Sequence, residues 1–227
     1  MNRQEILKFI VDNNDNEHLL DYYNKTYDKL KEINKRIDKL TAYLIIVVFV
    51  FLITSKSSIQ SFQVGPISIN DITIIVKLLP ILFSYLLTDL VVSSSHKGEL
   101  FMTVKLISMS LYKQDINYKD LDNHKHNLIT RLVMPFSYSM ELSKLNSDKV
   151  SVIQALFGFI IILPVLSLIF LPFYFEFYML RDIYHNYMTD NLGKISFYLS
   201  IWITLLMLYY LISTAIRNFK DQKTEMQ

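Results

Sequence analysis

The chain contains no cysteine. Disulfides, thiolate nucleophiles and zinc–thiolate centres are therefore excluded outright. Glycine occurs only four times in 227 residues, so there is neither a P-loop nor a Gly-x-Gly-x-x-Gly turn to cradle phosphate. No serine stands in a Gly-x-Ser-x-Gly elbow, no His-Glu-x-x-His helix is present, and no pair of acids lies within the apolar runs. A non-enzymatic protein with no cofactor is the expectation. Alanine occurs three times, whereas Ile, Leu, Lys, Asn, Tyr and Phe abound, a composition that points to an AT-rich, bacterial genome. The net charge of +2 gives no reason to expect a nucleic-acid partner.

Charge is also missing from long stretches. Apolar runs cover 40–55, 72–92, 150–175 and 195–216. A hydrocarbon core about 30 Å thick requires roughly 20 apolar residues in helical form. The third run is uncharged for 26 residues and the fourth for 22. The first offers 16 uncharged positions between Lys39 and Lys56, both able to snorkel outward from a shortened span. The second contains Lys77, Pro80 and Asp89. The reading is an all-α integral membrane protein with four transmembrane helices and a small helical cytoplasmic lobe.

Nineteen of the 23 lysines and arginines fall in 1–40, 93–151 and 217–227. By the positive-inside rule these segments are cytoplasmic, so both termini are expected inside a bacterial inner membrane. The implied order is a cytoplasmic amphipathic helix (1–39), a span (40–55) and a short external loop or hairpin (56–71). A second span (72–92), a cytoplasmic helical insert (93–149) and a third span (150–175) follow. An external interfacial loop (176–194), a fourth span (195–216) and a cytoplasmic tail (217–227) complete it. The first apolar run starts forty residues in, behind eight acidic residues, which is unlike a cleaved signal peptide.

Tyr23, Tyr27, Leu30, Ile33, Ile37, Leu40 and Leu44 recur at steps of three and four. That spacing fits a helix packed on the protein's own lobe better than a coiled-coil stalk, for which three heptads and a tyrosine seam are weak. Leu100, Val104, Ile107 and Leu111 make an amphipathic helix over roughly 97–113. Alternation on both sides of Gly65-Pro66 predicts a small hairpin or tight turn, with an irregular cap as the alternative. Pro164 and Pro172 invite kinks in the third span, and Ala155 and Gly158 offer it a small-residue contact surface. Phe173, Tyr174, Phe175, Phe177 and Tyr178 read as an interfacial aromatic belt, continued by Tyr184 and Tyr187. Trp202 reads as a packing residue.

Polar residues concentrate in the second span. At 100° per residue Thr73, Lys77, Ser84 and Thr88 fall on one stripe, with Tyr85 beside it and Asp89 near the cytoplasmic end. Such a stripe lines a pore or packs against another helix. Lys77 lies about 7.5 Å inside the outer boundary, within snorkelling range, and Asp89 lies about 18 Å along the axis from it, too far to pair within one helix. Ser196, Ser200 and Thr204 repeat every four residues in the last span as a helix-contact face. Asp120, Asp122, His124 and His126 lack a second ligand pair and read as a solvated loop, so no metal is expected.

The layout looks like that of various small bacterial membrane proteins, among them pore-forming or sensing subunits of phage-defence systems. The expected function is an oligomeric membrane protein that forms or gates a pore under control of its cytoplasmic lobe. The alternative is a non-conducting anchor or sensor that recruits a cytosolic protein through residues 1–40 and 93–151.

Overall fold

The computed structural model describes residues 3–13, 16–56, 62–64, 67–69, 72–111 and 170–225. Five helical segments hold almost all of them: α1 (Arg3–Asp12), α2 (Asn16–Lys56), α3 (Ile72–Leu111), α4 (170–186) and α5 (Asn191–Glu225). The exception to the all-α reading is an antiparallel hairpin of β1 (Phe62–Val64) and β2 (Ile67–Ile69), in which Phe62 pairs with Ile69 and Val64 with Ile67. Apolar residues alternating with Gln63 and Ser68 on either side of Gly65-Pro66 supply the pattern that strands require.

Helix α2 runs 41 residues without a glycine or proline. Helix α3 runs 40, about twice the number that a bilayer core needs. The amphipathic helix expected over 97–113 is therefore the continuation of the second apolar run, not a separate element. Neither Pro80 nor Gly98 stops α3. Pro80 lacks an N–H, so the Val76 carbonyl loses its usual helical donor. Ser84 Oγ meanwhile donates to the Pro80 carbonyl at 2.8 Å.

The chain divides into two compact units. One comprises Met1–Ile37 with Ser93–Ser151, and the other Asp38–Val92 with Val152–Gln227. In the first, Ile6 and Ile10, one turn apart on α1, are buried with Leu19, Leu106, Ile107 and Met109. Phe9 rests on Tyr22 with ring centroids 4.7 Å apart. Tyr23, Tyr27 and Leu30 pack with Leu100, Phe101 and Val104. Every residue from Thr103 to Met109 is buried, Lys105 included. Seven consecutive residues cover the whole circumference of a helix, so this stretch has no wet face. The amphipathic pattern identified its apolar side and left the burial of its polar side unforeseen.

The second unit draws its core from four helical segments: Leu44, Val47 and Phe51 of α2; Val76, Leu79, Phe83 and Leu87 of α3; Met179 of α4; and Met207 of α5. Phe51 meets Tyr178 edge-on at 6.1 Å. The outward faces are apolar as well. Phe49 on α2, Leu78 and Leu82 on α3, and Ile195, Trp202 and Tyr209 on α5 are all exposed. Apolar surface of that extent exceeds what a soluble monomer shows. The segments 17–55, 73–111 and 191–217 are each long and apolar enough to cross a membrane. Trp202, expected to pack, faces outward at 62% exposure.

The third apolar run lies mostly outside the described residues, which resume at 170. From there α4 is helical to residue 186, past the point where the sequence reading places an external loop from 176. The aromatic belt from Phe173 to Tyr178 and Glu176, Met179 and Ile183 therefore belong to one helix. The last three, spaced at three and four, are buried together on one face.

Candidate functional site

The turn between α4 and α5 closes one end of the site. Tyr187 N donates to Ile183 O at 2.9 Å and Asp190 N to Tyr187 O at 3.2 Å, after which Lys194 N bonds back to Asp190 O at 3.0 Å. Asp190 is the N-cap of α5: its carboxylate accepts backbone hydrogen bonds from Asn191 and Leu192. An acid at a helix N-terminus satisfies orphan N–H groups and complements the helix dipole. The same carboxylate takes a hydrogen bond from Lys77 Nζ at 2.7 Å. That bond holds Asp190 below the usual carboxylate range, and the two N–H donors add to the effect. Lys77 also lies 5.3 Å from the centre of the Tyr187 ring, within cation–π reach.

Deeper in the same unit, hydroxyls join α3 to α5. Ser196 Oγ donates to the Lys77 carbonyl. Two turns further along α5, Thr204 Oγ1 contacts Oε1 of Glu176 on α4 at 3.3 Å while donating to Ser200 O at 2.9 Å. Ser84 Oγ on α3 bonds the same Oε1. Glu176 is 3% exposed, and its second oxygen, Oε2, is buried without a hydrogen-bond partner. The fully buried Ser200 Oγ likewise has none. One acid and three hydroxyl residues, contributed by three helices, thus form a polar cluster within a core otherwise made of Leu, Val, Phe and Met. Ser84 lies seven residues beyond Lys77, so the cluster sits about 10 Å further along α3 than the ion pair.

The polar stripe read from the second span does not share one environment. Ser84 is buried and Lys77 is paired, whereas Thr73 and Tyr85 are exposed and Thr88 and Asp89 are half-buried. Thr88 Oγ1 is taken up by Ser84 O at 2.7 Å. Val76, Leu79, Phe83 and Leu87 form the inner face of α3, and Ile74, Leu78, Leu82 and Tyr85 the outer. The stripe runs along the border between the two. Of the last-span hydroxyls, Ser196 and Thr204 reach the other helices and Ser200 is buried beside them. Ala155, Gly158, Asp120, Asp122, His124 and His126 lie outside the described residues. Among the described residues no group of three metal-ligating side chains occurs.

Glu176 is the residue that sequence reasoning missed, because an apolar run is conventionally ended at its first acid. The available signal was the apolar and aromatic sequence continuing on its far side, with Met179 and Ile183 at helical spacing from it. Compared with models of protein families, with characterised proteins and with solved structures, the chain matches none.

Proposed function

We propose that this chain is a multi-pass membrane protein, working as an oligomer, that forms or gates a passage for ions under the control of the unit built from 1–37 and 93–151. The reading takes the third apolar run as a fourth span and both termini as cytoplasmic in a bacterial inner membrane. The layout suits a defence-type effector or sensor. The observation that carries the reading is the polar cluster around Glu176. An ionisable side chain within a membrane bundle is costly, and where one occurs it commonly marks an ion or proton path. Bonded to Ser84 and Thr204, it links two helices whose outward faces are apolar. The test is flux in proteoliposomes carrying a sodium or proton gradient. Wild-type protein is expected to dissipate the gradient, and Glu176→Leu to slow it at least about tenfold. Monomeric protein with no leak under any imposed gradient would overturn the reading.

A second reading is a non-conducting anchor that recruits a cytosolic protein. In its favour, the first unit is compact in its own right and presents two aliphatic residues outward, Val11 at 75% and Leu20 at 50% exposure. Loss of one stoichiometric soluble partner from the Val11→Asp, Leu20→Asp double variant, with flux absent throughout, would favour it.

A further inference from the structure

Glu176 raises a problem of charge that the described side chains do not solve. Its hydrogen-bond partners are hydroxyls, which carry no charge. Charged residues on the neighbouring helices stand well away along their axes. On α3, Lys77 and Asp89 are seven and five residues from Ser84; on α4, Arg181 and Asp182 are five and six from Glu176. On α5, Lys194 and Arg217 are ten and thirteen from Thr204, and α2 carries no charge between Lys39 and Lys56. At 1.5 Å per residue the nearest of these is about 7.5 Å away along a helix. Lys77 is engaged with Asp190. A bare carboxylate in such a place is prohibitively costly, so a positive charge must accompany it.

The hydrogen count leads to the same requirement. Ser84 and Thr204 supply one hydroxyl hydrogen each. Between them they touch three acceptors: Pro80 O at 2.8 Å, Ser200 O at 2.9 Å and Glu176 Oε1. When the hydrogens serve the backbone carbonyls, oxygen lone pairs are left facing the carboxyl group. Oε2 is buried without a partner, and so is the hydroxyl of Ser200, one turn before Thr204 on α5, which brings its own hydrogen as well as its lone pairs. A carboxylate with hydroxyl oxygens turned toward it suits one small monovalent cation. Divalent ions take several carboxylates or retain water, and this cluster has one carboxylate and no nitrogen or sulfur donor.

We propose that Glu176, Ser84, Ser200 and Thr204 form an intrabundle binding site for a single small monovalent cation, a proton or an alkali ion. The site names the ion class for the passage proposed above and rests on that reading for its use, but not for the binding itself. Binding can be measured on detergent-solubilised full-length protein without any flux. The probe is dicyclohexylcarbodiimide, an apolar reagent that modifies a protonated carboxyl group in apolar surroundings, with peptide mass mapping to locate the adduct. Modification of Glu176 that falls as pH rises, equally in sodium and choline chloride, identifies a proton site. Modification slowed several-fold by sodium or lithium chloride at constant pH, but not by choline chloride, identifies an alkali-ion site. In either case Ser84→Ala is expected to shift the half-effect pH by about one unit, or the half-effect salt concentration about tenfold. Absence of the Glu176 adduct at every pH between 5 and 9, or an adduct indifferent to both pH and cation, overturns the proposal. Loss of flux with these responses intact would instead sink the passage reading alone.

Discussion

Lys77 and Asp190 stand 113 residues apart in the chain, yet their charged groups meet at 2.7 Å. Lys77 is only 12% exposed along its side chain and Asp190 47%. The lysine is thus held by a specific partner, which neither snorkelling nor a place on a pore-lining stripe supplies. Because Asp190 also caps α5, one carboxylate ties the start of that helix to α3.

The two roles of Asp190 can be separated by substitution. Asparagine is as good an N-cap as aspartate but carries no charge. Asp190→Asn should therefore lose the ion pair and keep the cap, whereas Asp190→Ala loses both. Thermal midpoints in detergent are expected in the order wild type, Asn, Ala, with the Asn-to-Ala step about 2–4 °C. Equal midpoints for Asn and Ala would rule out the capping role.

The pair also fixes a pH response. Asp190 is held below the usual carboxylate range chiefly by its hydrogen bond from Lys77. A carboxylate depressed in the folded state adds stability that is fully present above its unfolded value, near about 3.9, and is lost as pH falls through the lower folded value. The difference in midpoint between wild type and Asp190→Asn should therefore stay constant from pH 7 to about pH 5 and shrink below about pH 4. A difference that shrinks instead between pH 7 and 5 would point to another group.

What the sequence revealed of this site followed from local pattern, and what it hid depended on distant partners. Runs of Leu, Ile and Val located α2, α3 and α5, because hydrophobicity is read residue by residue. Ser196, Ser200 and Thr204 stood out by their four-residue spacing. Nothing local tells which of two flanks of α3 faces inward, so Ser84 on the stripe and Tyr85 beside it read as one polar surface, yet they stand in opposite environments. Glu176 reads as a loop residue for the same reason. The two hydroxyls that touch this buried acid lie 92 and 28 residues away in the chain, where no local pattern announces them. Trp202 misled in the other direction, since a single large aromatic packs against lipid as readily as against protein.

Two glycines should respond oppositely to alanine. A Cβ at Gly193 would run into the Tyr187 carbonyl, lying 2.8 Å from its carbon, and backbone there cannot yield as a flexible side chain would. Gly98 lies inside α3 with nothing within 4 Å of the corresponding position. Gly98→Ala should therefore stabilise the protein by up to about 1 kcal/mol through helix propensity. Gly193→Ala should lower the midpoint and, by displacing the 187–190 turn, erase the effect of Asp190→Asn in the double variant. Additive losses in that double variant would show that the turn holds without the close approach.

Glu176 offers the sharpest separation of stability from function. Leucine is close to glutamate in volume. With leucine there, Ser84 and Thr204 keep their bonds to the Pro80 and Ser200 carbonyls, so no hydroxyl is stranded. Removing a buried acid together with its need for a charge is commonly neutral or stabilising. Glu176→Leu is therefore expected to leave the thermal midpoint unchanged or raise it by a few degrees, about the shift that 1 kcal/mol gives in a chain of this size. Glu176→Ala, which leaves a cavity, should lower it. Both should abolish carbodiimide modification and cation flux. A structural acid gives the reverse pattern: Glu176→Leu unfolds in detergent, and Glu176→Gln, which keeps the hydrogen bonds, restores both midpoint and flux. Stability gained as flux is lost is the signature of a costly residue retained for its chemistry.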